Sequence, residues 1–378
     1  MRIACVGGGP AGLYFAILAK RIDPQWSVTV YDRFPEGVTY GWGVVFWDGL
    51  LDDLERTDPD TGREVRDRAF RWVDQLLQVD GQAPFRMRGH GFSMRRQTLL
   101  AILAERAREL GVDVRFGQQV DDLTDLGDCD LVVASDGVNS RLRERHRDDF
   151  GTAADRDRNK YAWLGTSKVF DSFTFPFAHT DAGWIWGHAY GFESGSSTFI
   201  AETTPETWKA LGFDVLSPEE STRRLEDIFG AHLGGHALTP QAGVSETTLW
   251  REFLTVTNRR WHRGNVALMG DAAHTTHFTI GSGTRLALED AIGLARQLAE
   301  HQGLDSALAA YGKQRAADLK PAQREARNSA RWFENVARHV GNDPEDFARL
   351  MNRRRSSFIN LLPSVYLRLA HAAARLRR

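Results

Sequence analysis

The chain has 378 residues, of which 42% are hydrophobic and 26% charged, and its formal net charge is −2. This composition is ordinary for a globular protein of roughly two or three domains, and the charge balance excludes a general attraction to nucleic acid or anionic membranes. The chain lacks the run of about eighteen apolar residues that a membrane span requires. Cys5 and Cys129 are expected as small core residues, which suits a cytoplasmic protein without a metal site.

The first predicted unit is a strand, a glycine-rich turn and a helix. Residues 2–6 form an apolar run typical of a buried strand, and residues 11–20 predict a helix. The turn between them fits a dinucleotide fingerprint, whose members are Gly7, Gly9, Pro10, Ala11 and Gly12. In such a fingerprint the glycines permit the tight turn, the approach of the backbone to a pyrophosphate, and close packing of helix on strand.

A second predicted strand, residues 27–31, leads directly into Asp32, twenty residues after Gly12. An acid at this spacing accepts hydrogen bonds from adenosine ribose hydroxyls, which favours FAD or NAD over a 2′-phosphorylated nucleotide. The alternative is a glycine-rich turn without a ligand, and the combination of strand, helix and acid favours the nucleotide.

The pattern of residue types changes further along the chain. A helix over residues 97–110 and strands over 112–116 and 130–135 extend the nucleotide domain, whereas aromatic and β-branched stretches from about 160 to 254 predict an inserted antiparallel sheet. The expected parts are residues 1–155 for the first part of an FAD-binding domain, 156–255 for a β-sheet substrate domain, 256–300 for the second part of the FAD-binding domain, and 301–378 for a C-terminal helical region.

Another segment with a cofactor-binding pattern, residues 270–274, follows the predicted strand at residues 266–269. The carboxylate of Asp271 at the end of this strand suits a ribityl hydroxyl, although an ordinary strand-to-turn transition is the alternative. The next helix presents backbone N–H groups and a positive dipole end that would stabilise a reduced flavin. The residues expected at this helix start are Gly281, Ser282, Gly283 and Thr284.

The segment 136–143, beginning Asp136-Gly137, completes a set of three. Together the three segments resemble the fingerprints of the single-component, class A flavoprotein aromatic hydroxylases, the group of p-hydroxybenzoate hydroxylase. The resemblance implies an α/β fold, in which a Rossmann-type FAD domain carries an inserted antiparallel β-sheet substrate domain and C-terminal helices. It also implies FAD as cofactor, with NADH or NADPH and dioxygen as co-substrates. Further FAD contacts are expected from Arg33, Gly43, Val44 and Arg96.

Residues 41–46, 89–92, 163–166 and 274–284 are similar to a narrower branch, which contains salicylyl-CoA 5-hydroxylases, anthraniloyl-CoA monooxygenases and the tryptophan-derived hydroxylases of violacein formation. This resemblance implies hydroxylation of an aromatic CoA thioester through a flavin C4a-hydroperoxide, with salicylyl-CoA as the leading substrate and gentisyl-CoA as its product. The chain is expected as a monomer or homodimer. The alternatives are hydroxylation of an indole or another free aromatic, and a flavin-binding reductase or redox-responsive protein that does not oxygenate.

Histidine suits the management of a substrate phenol proton, because its proton equilibrium lies near neutral pH. His277, six residues after Asp271, is the first candidate, and Phe278 beside it would shape the ring pocket. His188 and Tyr190 share one face of a predicted strand and are second candidates. For each histidine the alternative is a hydrogen-bonded structural residue. The arginine cluster at residues 353–355 either binds CoA phosphates or forms a solvated basic face.

Overall fold

The computed structural model describes residues 1–241 and 249–376, which fold into two sheets and the helices packed on them. The strands are β1 (Arg2–Val6), β2 (Ser27–Asp32), β3 (Gly43–Phe46), β4 (Phe70–Val79), β5 (Phe85–Arg95), β6 (Asp113–Phe116), β7 (Leu131–Ala134), β8 (Thr152–Thr166), β9 (Phe173–Thr180), β10 (Gly183–Glu193), β11 (Ser196–Thr203), β12 (Leu238–Pro240), β13 (Arg251–Asn258), β14 (His262–Arg263) and β15 (Val266–Leu268).

The helices are α1 (Pro10–Ile22), α2 (Asp48–Thr57), α3 (Pro59–Arg68), α4 (Arg96–Glu109), α5 (Arg141–Arg145), α6 (Arg147–Phe150), α7 (Pro205–Ala210), α8 (Pro218–Ile228), α9 (Gly230–Leu233), α10 (Gly283–Glu300), α11 (Leu304–Glu334), α12 (Pro344–Asn352), α13 (Ser357–Leu361) and α14 (Pro363–Leu376). Within the described ranges, no helix is long and apolar enough to cross a bilayer.

The first sheet is the predicted nucleotide-binding sheet. Its order is β14-β15-β7-β1-β2-β6, and its strands are parallel except for the edge strand β14. β1 lies at the centre, with Cys5 paired to Val30 on one side and Val133 on the other. α1 is buried along most of its length and packs against α10, which explains why its sequence is apolar all round.

The second sheet has nine strands in the order β12-β8-β11-β10-β9-β4-β5-β3, with β13 paired to β8. β3, β4 and β5 belong to this sheet, although the expected boundaries assigned their residues to the nucleotide domain. The expected limits at 155 and 255 fall inside β8 and β13, because these two strands pair along most of β13. Residues 242–248 of the expected substrate domain and 377–378 of the expected C-terminal region lie outside the described residues.

The two faces of β10 serve different parts of the molecule. Trp186 and His188 face the C-terminal helices, where Trp186 stacks on Phe333 with ring centroids 5.9 Å apart. The alternate residues Ile185 and Ala189 are buried in a second core with α8 and α9. This alternation, which is the ordinary period of a strand, brings polar side chains of β10 toward the interior beside the C-terminal helices.

The close contact of α1 with β1 predicts a strong effect of one methyl group. A Cβ at Gly12 would lie 2.2 Å from the Gly7 carbonyl oxygen and 2.5 Å from Ser135 Oγ, so Gly12→Ala must displace backbone. We expect destabilisation of about 2–3 kcal/mol, which a thermal melt of the flavin-free protein would register as a drop of several degrees. Gly49→Ala is the control, because no atom lies within 4 Å of a Cβ there. Equal melting temperatures for the two variants would contradict this account.

Candidate flavin and substrate site

A cavity of about 1720 Å³ extends from the end of β1 to the interior face of the second sheet. Its volume exceeds the roughly 300–1,000 Å³ of ordinary small-molecule pockets, so it can hold a dinucleotide together with a second ligand. The predicted cofactor residues in its wall are Gly7, Gly9, Pro10, Ala11, Asp32, Arg33, Gly43, Val44, Arg96, Asp136, Gly137, Asp271, Gly281, Ser282, Gly283 and Thr284. Gly12 lies behind this wall, where its lack of a side chain allows the helix to approach Gly7.

The glycines of the first turn have distinct roles. Gly7 has φ +111°, and a Cβ there would lie 2.2 Å from the Ser135 carbonyl oxygen, so both conformation and space require glycine. Gly9 has open space on its Cβ side, and it caps the N-terminal end of α1 without a side-chain hydrogen bond. The backbone at Gly9 is therefore accessible to a phosphate at the positive end of the helix.

Three charged side chains mark the path of a dinucleotide. Asp32 is fixed by the N–H groups of Gly8, at 2.7 Å from Oδ2, and Phe34, at 2.8 Å from Oδ1. Burial lowers the pKa of Arg96, and the charges of Asp271 and Asp32 partly offset this effect. Asp271 is exposed to the cavity but surrounded by enough protein that desolvation raises its pKa, against the opposing influence of Arg96.

A guanidinium between two carboxylates suits a pyrophosphate that lies between a ribose and a ribityl chain. In the described part of the chain, Arg96 has no carboxylate within 4 Å, and its Nε donates to Thr39 Oγ1 at 3.2 Å. Since it has no ion-pair partner within this distance, the guanidinium is available to the pyrophosphate of FAD in this cavity.

The start of α10 provides the second helix terminus. Ser282 occupies the N-cap position without bonding the backbone, because its Oγ lies 3.1 Å from Thr276 Oγ1. The first N–H groups of α10 consequently remain available to a ligand at the cavity wall, as expected for a site that stabilises negative charge on a flavin.

A buried carboxylate that the sequence did not single out holds this region in place. Asp290 accepts hydrogen bonds from Gly270 N at 3.0 Å and Arg315 Nε at 2.8 Å, and it pairs with His274 Nε2 at 2.8 Å. Burial acts to raise the pKa of Asp290, but His274 and Arg315 outweigh it and hold the pKa below its ordinary value. The turn at Gly270 is thus tied to both α10 and α11.

Arg143 connects the segment 136–143 to the segment 270–274. Its side chain is buried, and its guanidinium donates to the carbonyl oxygens of Ala272 at 3.2 Å and Val138 at 2.7 Å. Arg143 does not line the cavity. Its contacts indicate that it fixes the two cofactor-binding turns relative to each other.

Beyond the flavin motifs, the cavity becomes an aromatic compartment on the second sheet. Phe173 and Tyr190 stack at 5.2 Å, and Phe278 and Tyr161 approach to 5.0 Å. Phe175 completes this part of the wall. These rings form an apolar enclosure beside the expected flavin position, which suits a flat aromatic substrate.

A buried histidine–carboxylate pair borders this compartment, with His188 in the cavity wall and Glu202 behind it. His188 Nε2 is 2.9 Å from Glu202 Oε2, and the same carboxylate accepts hydrogen bonds from Trp186 Nε1 at 3.0 Å and Asn159 Nδ2 at 2.8 Å. Burial acts to raise the pKa of Glu202, but the interactions with His188, foremost its hydrogen bond, and the hydrogen bond from Asn159 hold it below its ordinary value. Glu202 is a functional candidate that the sequence did not reveal.

The four predicted catalytic residues occupy different positions. Phe278 and His188 line the cavity, as does Tyr190, whose hydroxyl is already engaged by the Gly43 carbonyl oxygen at 2.8 Å. His277 does not line it; its Nδ1 lies 3.0 Å from Thr279 Oγ1, and burial lowers its pKa to about 4. The structure therefore brings three of the four to the cavity and leaves His277 behind its wall.

Among the residues that the structure describes, no three His, Cys, Asp or Glu side chains are grouped to hold a metal ion.

The fold and the cofactor motifs define an FAD-dependent hydroxylase, and comparison with known proteins agrees. A model of the "FAD binding domain" family matches residues 88–326, and the chain belongs to this family of FAD-dependent aromatic monooxygenases. The expected fold class and the expected use of FAD are thereby confirmed.

Three relatives place the chain within the family. It is 39% identical over 350 residues to a salicyloyl-CoA 5-hydroxylase from Streptomyces, covering 90% of this chain and 66% of the relative, just under two thirds. It is 36% identical to a 3-hydroxy-4-methyl-anthranilyl-[aryl-carrier protein] 5-monooxygenase from Streptosporangium sibiricum, covering 88% and 89% of the two chains. It is 30% identical to protodeoxyviolaceinate monooxygenase from Chromobacterium violaceum, covering 99% and 100%. The expected narrower branch is thus confirmed.

Solved structures support the architecture. The chain superposes on 2-methyl-3-hydroxypyridine-5-carboxylic acid oxygenase with a TM-score of 0.72 and 21% sequence identity, covering 94% of this chain and 98% of the other. At this level of identity the likeness concerns the fold.

Gly9 offers a test of the cofactor position that leaves the apoprotein fold intact. The backbone of Gly9 has φ −77° and ψ 179°, which alanine adopts freely, and no atom lies within 4 Å of a Cβ there. We expect Gly9→Ala to preserve the melting temperature of the flavin-free protein but to raise the FAD dissociation constant on the order of tenfold, or about 1.4 kcal/mol. Quenching of FAD fluorescence measures this constant. An unchanged affinity would place the pyrophosphate elsewhere.

Proposed function

We propose that this protein hydroxylates an aromatic CoA thioester, with salicylyl-CoA as substrate and gentisyl-CoA as product. The supporting observation is the continuity of one cavity from the cofactor-binding turns to an aromatic compartment that contains His188. The substrate class is supported by two relatives whose names specify acyl groups carried on CoA or on a carrier protein. In the overall reaction, NADH or NADPH supplies two electrons, one atom of dioxygen enters the ring, and the other leaves as water.

Bound FAD would supply the electron transfer and the activation of dioxygen. The protein supplies the attachment points: Asp32 for the ribose, Arg96 for the pyrophosphate and Asp271 for the ribityl chain. The start of α10 stabilises negative charge on the reduced ring system. These groups would hold FAD in the same cavity as the aromatic compartment, so binding and orientation make up much of the contribution of the chain.

His188 is the residue that we assign to the substrate hydroxyl. Its Nε2 faces Glu202, and within the described ranges its Nδ1 has no hydrogen-bond partner. An ionised Glu202 favours the tautomer that carries a proton on Nε2, which leaves Nδ1 as a hydrogen-bond acceptor. A phenol that donates to Nδ1 gains electron density at the ring carbon para to its hydroxyl, where hydroxylation of a salicylyl group would occur.

The aromatic walls have a separate task. Phe175 and Phe278 contact the ring of His188 edge-on, with centroids at 5.6 and 5.4 Å. They keep the compartment apolar around His188. Exclusion of water protects the activated oxygen from wasteful release, which is the basis of coupling between NAD(P)H oxidation and product formation.

The substrate assignment is tested by NADH and NADPH oxidation with the FAD-loaded protein. We expect salicylyl-CoA to stimulate oxidation and to gain one oxygen by mass spectrometry, whereas free salicylate, anthraniloyl-CoA and tryptophan should do neither to a comparable extent. Hydroxylation of a free aromatic alone would replace the thioester proposal by a hydroxylase of free aromatics or indoles. Oxidation of NADH without any hydroxylated product would favour a flavoprotein that does not oxygenate.

The role of His188 is tested by comparing two buried histidines. We expect His188→Gln to retain FAD and to consume NADH, but to form at least about tenfold less product per NADH, because proton management contributes factors of this order or more. His277→Gln is the matched variant, since His277 is buried nearby but does not line the cavity. Loss of coupling only in His277→Gln would return the role to His277, and normal coupling in both would remove histidine from the mechanism.

A further inference from the structure

Arg354 is a charged side chain in the wall of the aromatic compartment, and it has no part in the function described above. Arg354 lies between α12 and α13; it is 7% exposed and lines the cavity. Its guanidinium carbon lies 5.8 Å from the ring centroid of Phe175 and 5.7 Å from that of Phe333. These contacts place the cation beside the same rings that surround His188.

The hydrogen bonds of Arg354 fix its position but do not neutralise its charge. Nε donates to Ser329 Oγ at 3.1 Å, Nη1 to the Met351 carbonyl oxygen at 2.9 Å, and Nη2 to the Thr279 carbonyl oxygen at 3.0 Å. All three acceptors are uncharged. A guanidinium has five N–H groups, so two remain for another partner.

In the part of the chain that the structure describes, no carboxylate lies within 4 Å of Arg354; Glu202 acts on it only at longer range. Burial lowers the pKa of Arg354 to about 9, which leaves the group charged at neutral pH. Because a buried cation without a counter-charge is costly, its presence in a ligand cavity indicates that the ligand supplies negative charge.

The neighbouring arginines differ from Arg354 in this respect. Arg353 is exposed, and Arg355 is 3.7 Å from Glu325 and therefore has an ionic partner. For the arginine cluster at residues 353–355 the sequence predicts either a phosphate site or a solvated face. Neither describes Arg354, because aromatic rings enclose its side chain. Its surroundings match an aromatic ligand better than a hydrated phosphate.

We propose that Arg354 determines substrate specificity by donating hydrogen bonds to an oxygen on the edge of the aromatic substrate that carries full or partial negative charge. The oxygen is that of the acyl group or of an adjacent ring hydroxyl. In a salicylyl group the acyl group and the hydroxyl occupy neighbouring ring carbons, so the planar guanidinium can address both oxygens from one side. Binding at this edge would orient the ring and select the carbon that faces the cofactor. The assignment rests on the proposed function for the aromatic acyl nature of the ligand.

The test uses small ligands, so that it does not depend on turnover. Benzoate, benzamide and salicylamide are titrated into the FAD-loaded protein, and flavin difference absorbance reports their dissociation constants. Benzoate and benzamide differ mainly in the charge of the acyl group; salicylamide and benzamide differ by the ring hydroxyl. The variants are Arg354→Met and Arg354→Lys, with Arg353→Met as the control for removal of an exposed charge.

Two preferences are measured, that for benzoate over benzamide and that for salicylamide over benzamide. We expect one or both to fall about tenfold in Arg354→Met, because hydrogen bonds to an ionised group are roughly twice as strong as neutral ones. Arg354→Lys should retain part of the preference, since it keeps the charge but loses the planar fork. Arg353→Met should match the wild type. The preference that changes identifies the oxygen that Arg354 binds.

Unchanged preferences in Arg354→Met would overturn the assignment, as would failure of the wild-type holoenzyme to bind any of the three ligands. Equal weakening of all three ligands would also overturn it, because a purely structural anchor loses affinity without losing discrimination. If the preferences shift but salicylyl-CoA is not hydroxylated, the proposed function fails while the anion-binding role of Arg354 stands.

Discussion

The buried carboxylate of Asp290 is the interaction on which the cofactor site depends most. It joins the segment that contains Gly270 and His274 to Arg315 on α11, while Asp290 itself lies on α10. A carboxylate with this many donors is stable in the interior, whereas removal of any one partner would leave a buried charge uncompensated. Because α10 carries Asp290 and also begins at the cavity wall where the flavin is expected, the same carboxylate sets the turn and the helix start relative to each other.

Local sequence was sufficient to predict the cofactor-binding turns. The positive φ of Gly7 and the contact of Gly12 with the Gly7 carbonyl oxygen arise within the fingerprint itself, and a strand, turn and helix in sequence specify this geometry. Ser135, which is distant in sequence, adds a second constraint at both glycines. The recruitment of β3, β4 and β5 into the second sheet could not be predicted in this way, because their pairing depends on distant strands. β4 also carries a bulge at Asp74, whose φ of +64° interrupts the alternation of side chains that identifies a strand.

The candidate catalytic residues show the same division. His188 was visible as a polar residue in an aromatic strand, but its partner Glu202 reaches it only through the antiparallel register that sets Trp186 opposite Glu202. His277 was favoured because it follows the flavin-binding turn closely in sequence. Its ring instead turns back to its own 3-10 turn, where it accepts a hydrogen bond from Thr279 N at 3.4 Å. Proximity in sequence to a cofactor motif therefore does not bring His277 to the cavity wall, whereas its position on one face of β10 brings His188 there.

The way in which Gly43 is held has a consequence for how the protein moves. The Gly43 N–H donates to Thr198 Oγ1 at 2.9 Å and its carbonyl oxygen accepts from Tyr190, while Thr198 and Tyr190 are paired across β10 and β11. A side chain at Gly43 would collide with Phe192. Glycine at this position therefore allows β3 to pack closely on the sheet. The segment expected to border the flavin is thus part of the sheet that receives the substrate. If the two sheets bend relative to each other, Gly43 and the substrate compartment therefore move together. The distance between Gly43 and this compartment does not change with such a motion.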